Sequence, residues 1–131
     1  LYYLRSQNRI RIIREDTNSV EIEITKKGKN YLRKIDFDNM SLKKSIIWDK
    51  KWRIIIFDIP EERKKAREAL RQKLKELGVI KLQDSVWITP YPCEDEVIFV
   101  ADFFGVGKYV EVLIVESILR DQKFKKEFGL V

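Results

Sequence analysis

Residues 51–65 read KWRIIIFDIPEERKK and pass from a continuous apolar run into a proline and a charged segment. A run of this kind, rich in β-branched residues, predicts a strand over 52–59 that is covered on both faces. Pro60 ends the strand, because proline cannot donate to a sheet ladder but fits the first turn of a helix. A buried strand followed directly by a helix is therefore the starting point for a mixed α+β fold.

The segment after Pro60 predicts an amphipathic helix that ends at Gly78. Its apolar residues recur every three or four positions, at Ala66, Leu70, Leu74 and Leu77. The rest of the chain predicts strands at 79–82 and 85–89, a helix over 91–105, a further buried strand over 109–118 and a short basic helix within 119–131.

The order of elements over 51–118 is strand, helix, strand, strand, helix, strand. This is the order of the ferredoxin-like βαββαβ arrangement, in which two helices cover one face of an antiparallel sheet. The strands carry more apolar residues than two helices can hide, so we expect a second copy of the chain, a second domain or both on the opposite face. The residues that suggest this are Ile54, Ile56, Trp87, Val112 and Ile114.

The first forty residues form a separate pattern. Residues 9–24 alternate apolar and charged side chains around the polar turn EDTNS, which predicts a hairpin. Thr25 can cap a following helix through KKGKNYLRKI. We therefore expect one domain at 1–40, a linker at 41–50 and a second domain at 51–118, followed by a tail at 119–131.

The composition excludes several function classes. The chain of 131 residues has a net charge of +6, which favours anionic partners such as nucleic acid. It contains no histidine, which excludes His-based catalytic triads and His-ligated metal centres. Its one cysteine, Cys93, cannot form an internal disulfide, and we expect it to be a packed residue. The GVG at 105–107 lacks a phosphate-loop pattern and is typical of a helix end. These features, with no apolar run long enough for a membrane helix, predict a soluble, cytoplasmic protein.

KWRIIIFDIPEERKKAREALRQKLKELG, followed by QDSVWITPYPCEDE, resembles the central domain of the PaaX-like transcriptional repressors. That domain is itself similar to the CRISPR-associated Cas-two family of small ferredoxin-like dimers, described as metal-dependent nucleases and as the hub of spacer integration. NRIRIIREDTNSVEIEITKKGKNYL resembles the wing hairpin and following helix of a winged-helix domain, which PaaX-like proteins carry ahead of their Cas-two-like domain. Only the seven residues LYYLRSQ precede this segment, so we expect the recognition helix upstream of residue 1.

The resemblance implies alternative functions. A DNA-binding, repressor-like transcription regulator would form a homodimer through its ferredoxin-like domain, position winged-helix heads on double-stranded DNA and need no cofactor. A Cas-two-like protein would be an integration-complex subunit or a magnesium-dependent endonuclease, with Asp58 of each subunit as a metal ligand. A third possibility is an assembly module that never contacts DNA. We favour the regulator, for which no catalytic residue is expected, and nothing in the sequence indicates a small-molecule effector.

Asp58 also has a structural interpretation, because an acid just before a helix can accept amide hydrogen bonds from the first turn. The candidate nucleic-acid contacts form two sets, of which we expect the first to contribute more. The first set belongs to the hairpin and the following helix, and the second lies at four-residue spacing on the helix after Pro60. These residues are Arg9, Arg11, Arg14, Lys26, Lys27 and Lys29 in the first set, and Arg63, Arg67 and Arg71 in the second. Both sets would contact phosphates and position the protein without specifying sequence.

Overall fold

The computed structural model describes residues 2–44 and 47–130. The chain divides into two compact units, Leu1–Asn39 and Met40–Val131. The second unit starts at Met40, so the whole of the linker expected at 41–50 falls within it. Residues 45 and 46 of that linker lie outside the described residues, as do the first and last residues of the chain.

The first unit consists of a hairpin and a helix, as predicted. Its strands pair antiparallel from Ile10 opposite Ile24 to Glu15 opposite Val20. The last helix extends to Asp38, three residues beyond the expected end at Ile35. The elements are a short helix α1 (Tyr2–Ser6), strands β1 (Ile10–Glu15) and β2 (Val20–Ile24), and helix α2 (Lys26–Asp38).

The hairpin and α2 approach each other closely at Gly28. The Thr25 hydroxyl caps the helix by accepting the amide of Gly28 at 3.0 Å, and it donates to the carbonyl of Asn8 at 2.7 Å. A Cβ at position 28 would collide with the backbone carbonyl oxygen of Arg9. The glycine that lowers helix propensity is therefore the residue that allows helix and hairpin to touch.

The second unit is a four-stranded antiparallel sheet with helices, in the spatial order β4-β5-β3-β6. This is the ferredoxin-like βαββαβ arrangement, so the predicted fold class is confirmed. Its elements are β3 (Trp52–Phe57), α3 (Lys64–Glu76), β4 (Ile80–Gln83), β5 (Val86–Thr89), α4 (Glu94–Phe103), β6 (Val110–Val115) and α5 (Gln122–Glu127), with single 3-10 turns at Glu61–Arg63 and Gly107–Tyr109.

The first strand of this unit is shorter than the sequence predicted. It ends at Phe57, so Asp58 and Ile59 lie beyond the strand. Helix α3 begins at Lys64, after the 3-10 turn, and not directly at Pro60. The amide of Asp58 still donates to the carbonyl of Tyr109 at 3.0 Å, which extends the pairing between the two chain segments by one bond.

Successive side chains of β3 point to opposite faces of the sheet, so that they contribute to two different packing layers. Ile55 and Phe57 are buried on the face that α3 and α4 cover, together with Leu70, Leu74 and Val100 of those helices. The apolar stripe predicted for the helix after Pro60 thus forms the main core of the second unit together with α4.

The tail covers part of the opposite face of the sheet. Phe124 of α5 is buried with Trp52 and Ile88, and its ring lies edge-on to the Trp52 ring with the centroids 6.2 Å apart. The sequence predicted the tail helix but assigned the cover of this face to a second copy or a second domain, and so it missed this packing. The face continues beyond α5 to the half-buried Ile56 and to Leu113, which is 42% exposed.

The prediction that the last strand is buried is wrong, because β6 is an edge strand. It pairs with β3 on one side, and within the described ranges no strand pairs with its other side. Its side chains are accordingly exposed or half-buried, with Ile114 55% exposed. Continuous apolar character therefore does not distinguish an interior strand from this edge strand.

Candidate nucleic-acid interface

Two arginines of the hairpin are paired across its ladder. Arg11 lies 3.4 Å from Glu23, and Arg14 lies 3.4 Å from Glu21. All four side chains are largely exposed, and exposed pairs of this kind contribute at most about 1 kcal/mol each. A phosphate can therefore replace the carboxylate with little loss of free energy. The acids nevertheless reduce the positive potential of this surface.

Arg9 has a different environment, between the hairpin and α2. Its guanidinium carbon lies 3.4 Å from the centroid of the Tyr31 ring, in a cation–π contact. Its Nε is buried, with no hydrogen-bond partner in the part of the chain that the structure describes. Arg9 therefore joins the two elements of the first unit, and it is less available to a phosphate than its sequence position suggests.

The lysines at the start of α2 are the most available cations of the predicted set. Lys26, Lys27 and Lys29 are exposed, and across residues 2–44 and 47–130 none of them forms an ion pair or a hydrogen bond through its side chain. The first turn of α2 contains no acid. Positive charges at a helix N-terminus oppose the helix dipole, typically by about 0.3–1 kcal/mol each at low ionic strength. A bound anion would remove that penalty, and we call these three residues the α2 lysine patch.

Arg63 acts within the second unit as a cap for another helix. It donates from one nitrogen to the carbonyls of Phe104 and Gly105, at 3.0 and 3.1 Å. These carbonyls follow the end of α4, where helices leave acceptors unsatisfied. Gly105 has a positive φ of 70° and ends this helix, as the sequence predicted.

Arg67 and Arg71 are also engaged within the second unit. Arg67 pairs with Glu61 at 3.2 Å. Arg71 pairs with Glu68 at 2.7 Å and donates to the carbonyl of Asp84 at 2.8 Å. The arginines of α3 do share one face, but they hold the turns around the helix, and this argues against the stripe as a phosphate-binding surface.

Asp58 is exposed at the end of β3, beside a shallow depression that Ser85, Lys108 and Glu111 also line. Throughout the described residues, its carboxylate accepts no hydrogen bond. The structural interpretation, in which Asp58 caps the first helical turn, thus has no contact to support it. The described residues also contain no group of three acids or cysteines that could hold a metal ion. Asp58 and Glu111 are the acids that line this depression, and Mg²⁺ bound by one or two carboxylates usually keeps several waters, so the magnesium hypothesis stays a prediction.

Arg53 is a buried charge on β3, and no role was predicted for it from the sequence. Its side chain binds both carboxylate oxygens of Asp49, at 2.9 and 2.6 Å, and donates to the carbonyl of Pro90 at 2.8 Å. The hydrogen bond from Arg53 holds the pKa of Asp49 below its usual range. The sequence feature that could have predicted this ion pair is an arginine inside an apolar strand, four residues after an acid.

Residues 46–126, more than half of the chain, match the family model described as the PaaX protein central Cas2-like domain. The chain belongs to this family. The resemblance found in the sequence is thereby confirmed for the second unit, whereas the PaaX match does not extend to the hairpin and α2. The winged-helix interpretation of those elements stays a prediction. No curated protein and no solved structure matched the chain.

The lengths and hydropathies of the described helices can be set against what a membrane span needs. None within residues 2–44 and 47–130 combines the length and the apolar character that crossing a bilayer needs.

Proposed function

We propose that this chain is part of a DNA-binding transcription regulator, in which the first unit contacts the phosphate backbone and the second unit dimerises. Membership of the PaaX central-domain family supports the regulator over other classes of basic protein. The observation that carries the DNA-binding part is the α2 lysine patch, whose three cations are exposed and have no partner in the described part of the chain. Such contacts hold a protein on the duplex and leave base recognition to other residues.

The dimer is proposed on the part of the sheet face that the tail leaves open. Ile56 and Val86 are half-buried there, and Leu113 is exposed. A second copy packed on this apolar surface would remove it from water, which is the main favourable term in most protein association. The dimer would then carry two first units, which would bind two half-sites.

The test is the affinity of the full chain for a labelled DNA duplex as a function of salt. In the variant K26Q/K27Q/K29Q, the slope of log K against log[salt] should fall by up to about 2.7, since each phosphate contact contributes about 0.9. The matched control is K64Q/K65Q/K75Q, which removes the same charge from α3. Equal effects of the two triple variants would show that net charge alone drives binding and would refute a specific role for the α2 lysine patch.

The nuclease alternative is supported by one observation, the exposed Asp58 carboxylate that accepts no hydrogen bond among the described residues. Its test is cleavage of duplex DNA and single-stranded RNA with and without magnesium, for the native chain and for Asp58→Asn. Cleavage that needs magnesium and is lost in Asp58→Asn would favour the nuclease. DNA binding without cleavage, unchanged by the substitution, would favour the regulator.

A further inference from the structure

The open edge of β6 borders a groove of about 230 Å³ whose other wall is α4. The floor is apolar, with Val97, Ala101 and Val112 among its residues. Ile98 of α4 also lines it and is 57% exposed, so its side chain is available to a ligand in the groove. An apolar groove beside an unpaired sheet edge is the geometry in which an extended peptide can be added as a strand.

The backbone of β6 is oriented to accept such a strand. The amide of Asp58 donates to the carbonyl of Tyr109, so that alternate residues of the strand from Tyr109 onward bond to β3. The intervening residues, Val110, Val112 and Ile114, therefore direct their amides and carbonyls away from the sheet. Their side chains lie on the α4 face, because Val112 is opposite the buried Ile55. An added strand would thus meet free backbone groups and the groove together.

Two acids lie on the wall formed by α4, on either side of Ile98. Asp102 is exposed, and its carboxylate forms no ion pair or hydrogen bond within the described ranges. Oε1 of Glu94 is buried and has no hydrogen-bond partner there, although it lies 3.7 Å from Nε of Arg53. The wall of the groove is therefore negative in a chain whose net charge is +6, so its ligand should be basic.

The spacing of these three residues matches a strand. Glu94, Ile98 and Asp102 follow one another at intervals of four residues, which is a rise of about 6 Å along a helix. Every second residue of a strand points to the same side, at intervals of about 6.6 Å. Asp102 is at the Val110 end, because a Cβ at Gly107 would collide with its Oδ1, and Glu94 is at the Arg53 end, opposite Ile114.

We propose that the groove between α4 and β6 binds an extended peptide of the pattern basic–x–apolar–x–basic, which pairs with β6 as a fifth strand of the sheet. The central apolar side chain packs on Ile98 and Val112. The two basic side chains reach Asp102 and Glu94. This peptide-binding surface lies on the helix-covered side of the sheet edge, whereas the face proposed for the dimer is on the opposite side of the sheet.

The test follows the fluorescence anisotropy of the labelled peptide Ser-Lys-Thr-Val-Thr-Lys-Ser as the full chain is added. The protein concentration is raised to about 1 mM, so that weak binding is detected. In antiparallel pairing, which we propose here, the Val amide of the bound peptide faces β6, whereas the Thr amides face away. N-methylation of the Val amide should therefore abolish binding, and N-methylation of a Thr amide should leave it unchanged. This comparison alters only the ligand, so protein folding does not affect it.

Protein variants test the charges and the edge. Asp102→Asn should weaken binding about three- to fivefold, as for loss of an exposed ion pair, while the control Asp95→Asn, on the same helix but outside the groove, should not. Hydrogen exchange at Val110, Val112 and Ile114 should slow when the peptide binds.

Three results would overturn the proposal. The first is no saturable binding, and the second is equal binding of the two methylated peptides. The third is a stable dimer that Val112→Pro dissociates, because a second copy would then occupy the edge. Proline at Val112 removes only an outward-facing amide, so this variant retains the bonds to β3.

Discussion

Replacing Phe124 by Ala should destabilise the second unit, because this residue joins the tail helix to the sheet. Its side chain is 6% exposed and packs edge-on against Trp52, with the ring centroids 6.2 Å apart. Loss of a buried phenyl ring costs about 3–5 kcal/mol in free energy of unfolding. We expect about 3 kcal/mol, the low end, since the six-residue helix α5 can move to fill part of the space. For a domain of this size, the corresponding fall in Tm is about 12–24 °C.

Urea unfolding followed by tryptophan fluorescence measures this effect, since all three tryptophans of the chain lie in the second unit. The midpoint should fall with an unchanged m-value. Leu119→Ala is the matched control, because Leu119 is 93% exposed and its removal should change stability by less than about 0.5 kcal/mol. A loss below about 1 kcal/mol for Phe124→Ala would refute the packing of the tail on the sheet.

Three further predictions concern single contacts. Arg63→Gln removes hydrogen bonds to two carbonyls at the end of α4 and should lower the free energy of unfolding by about 1–2 kcal/mol in urea; no change would show that water replaces the cap. Gly28→Ala should lower the helical signal and thermal stability of the first unit in circular dichroism, because the new Cβ meets the hairpin backbone; a gain in stability would show that the hairpin moves aside. Asp49 has a lowered pKa beside Arg53, so its contribution to stability is full above its ordinary pKa of 3.8 and is lost as the pH falls through the lower folded value. Asp49→Asn should flatten the loss of stability as the pH falls below about 3.8, and an unchanged acid limb would contradict the pairing.

The elements of the second unit could be predicted because their patterns are local. The run from Trp52 to Phe57 and the stripe from Leu70 to Leu77 depend only on side-chain character and spacing. Gly105 likewise predicted the end of a helix, because glycine readily adopts the positive φ that is found there. Ordered in sequence, these local signals were enough to give the sheet topology.

The errors arose where a residue's environment depends on a distant part of the chain. Nothing within β6 indicates that it is an edge strand, because its apolar residues suit either position. The packing of Phe124 on Trp52 joins segments far apart in the sequence. The phosphate-binding stripe proposed for Arg67 and Arg71 of α3 stays a prediction, but the sequence did not show that Arg71 donates to the carbonyl of Asp84.

Cys93 gives the native chain an internal probe of one unit only. It is the single cysteine, it is fully buried, and burial raises the pKa of its thiol to about 12. A maleimide therefore reaches a reactive thiolate only when the core around α4 opens. The rate of alkylation in the unmodified protein then measures how often the second unit opens, whereas opening of the first unit, which contains no cysteine, leaves no covalent mark.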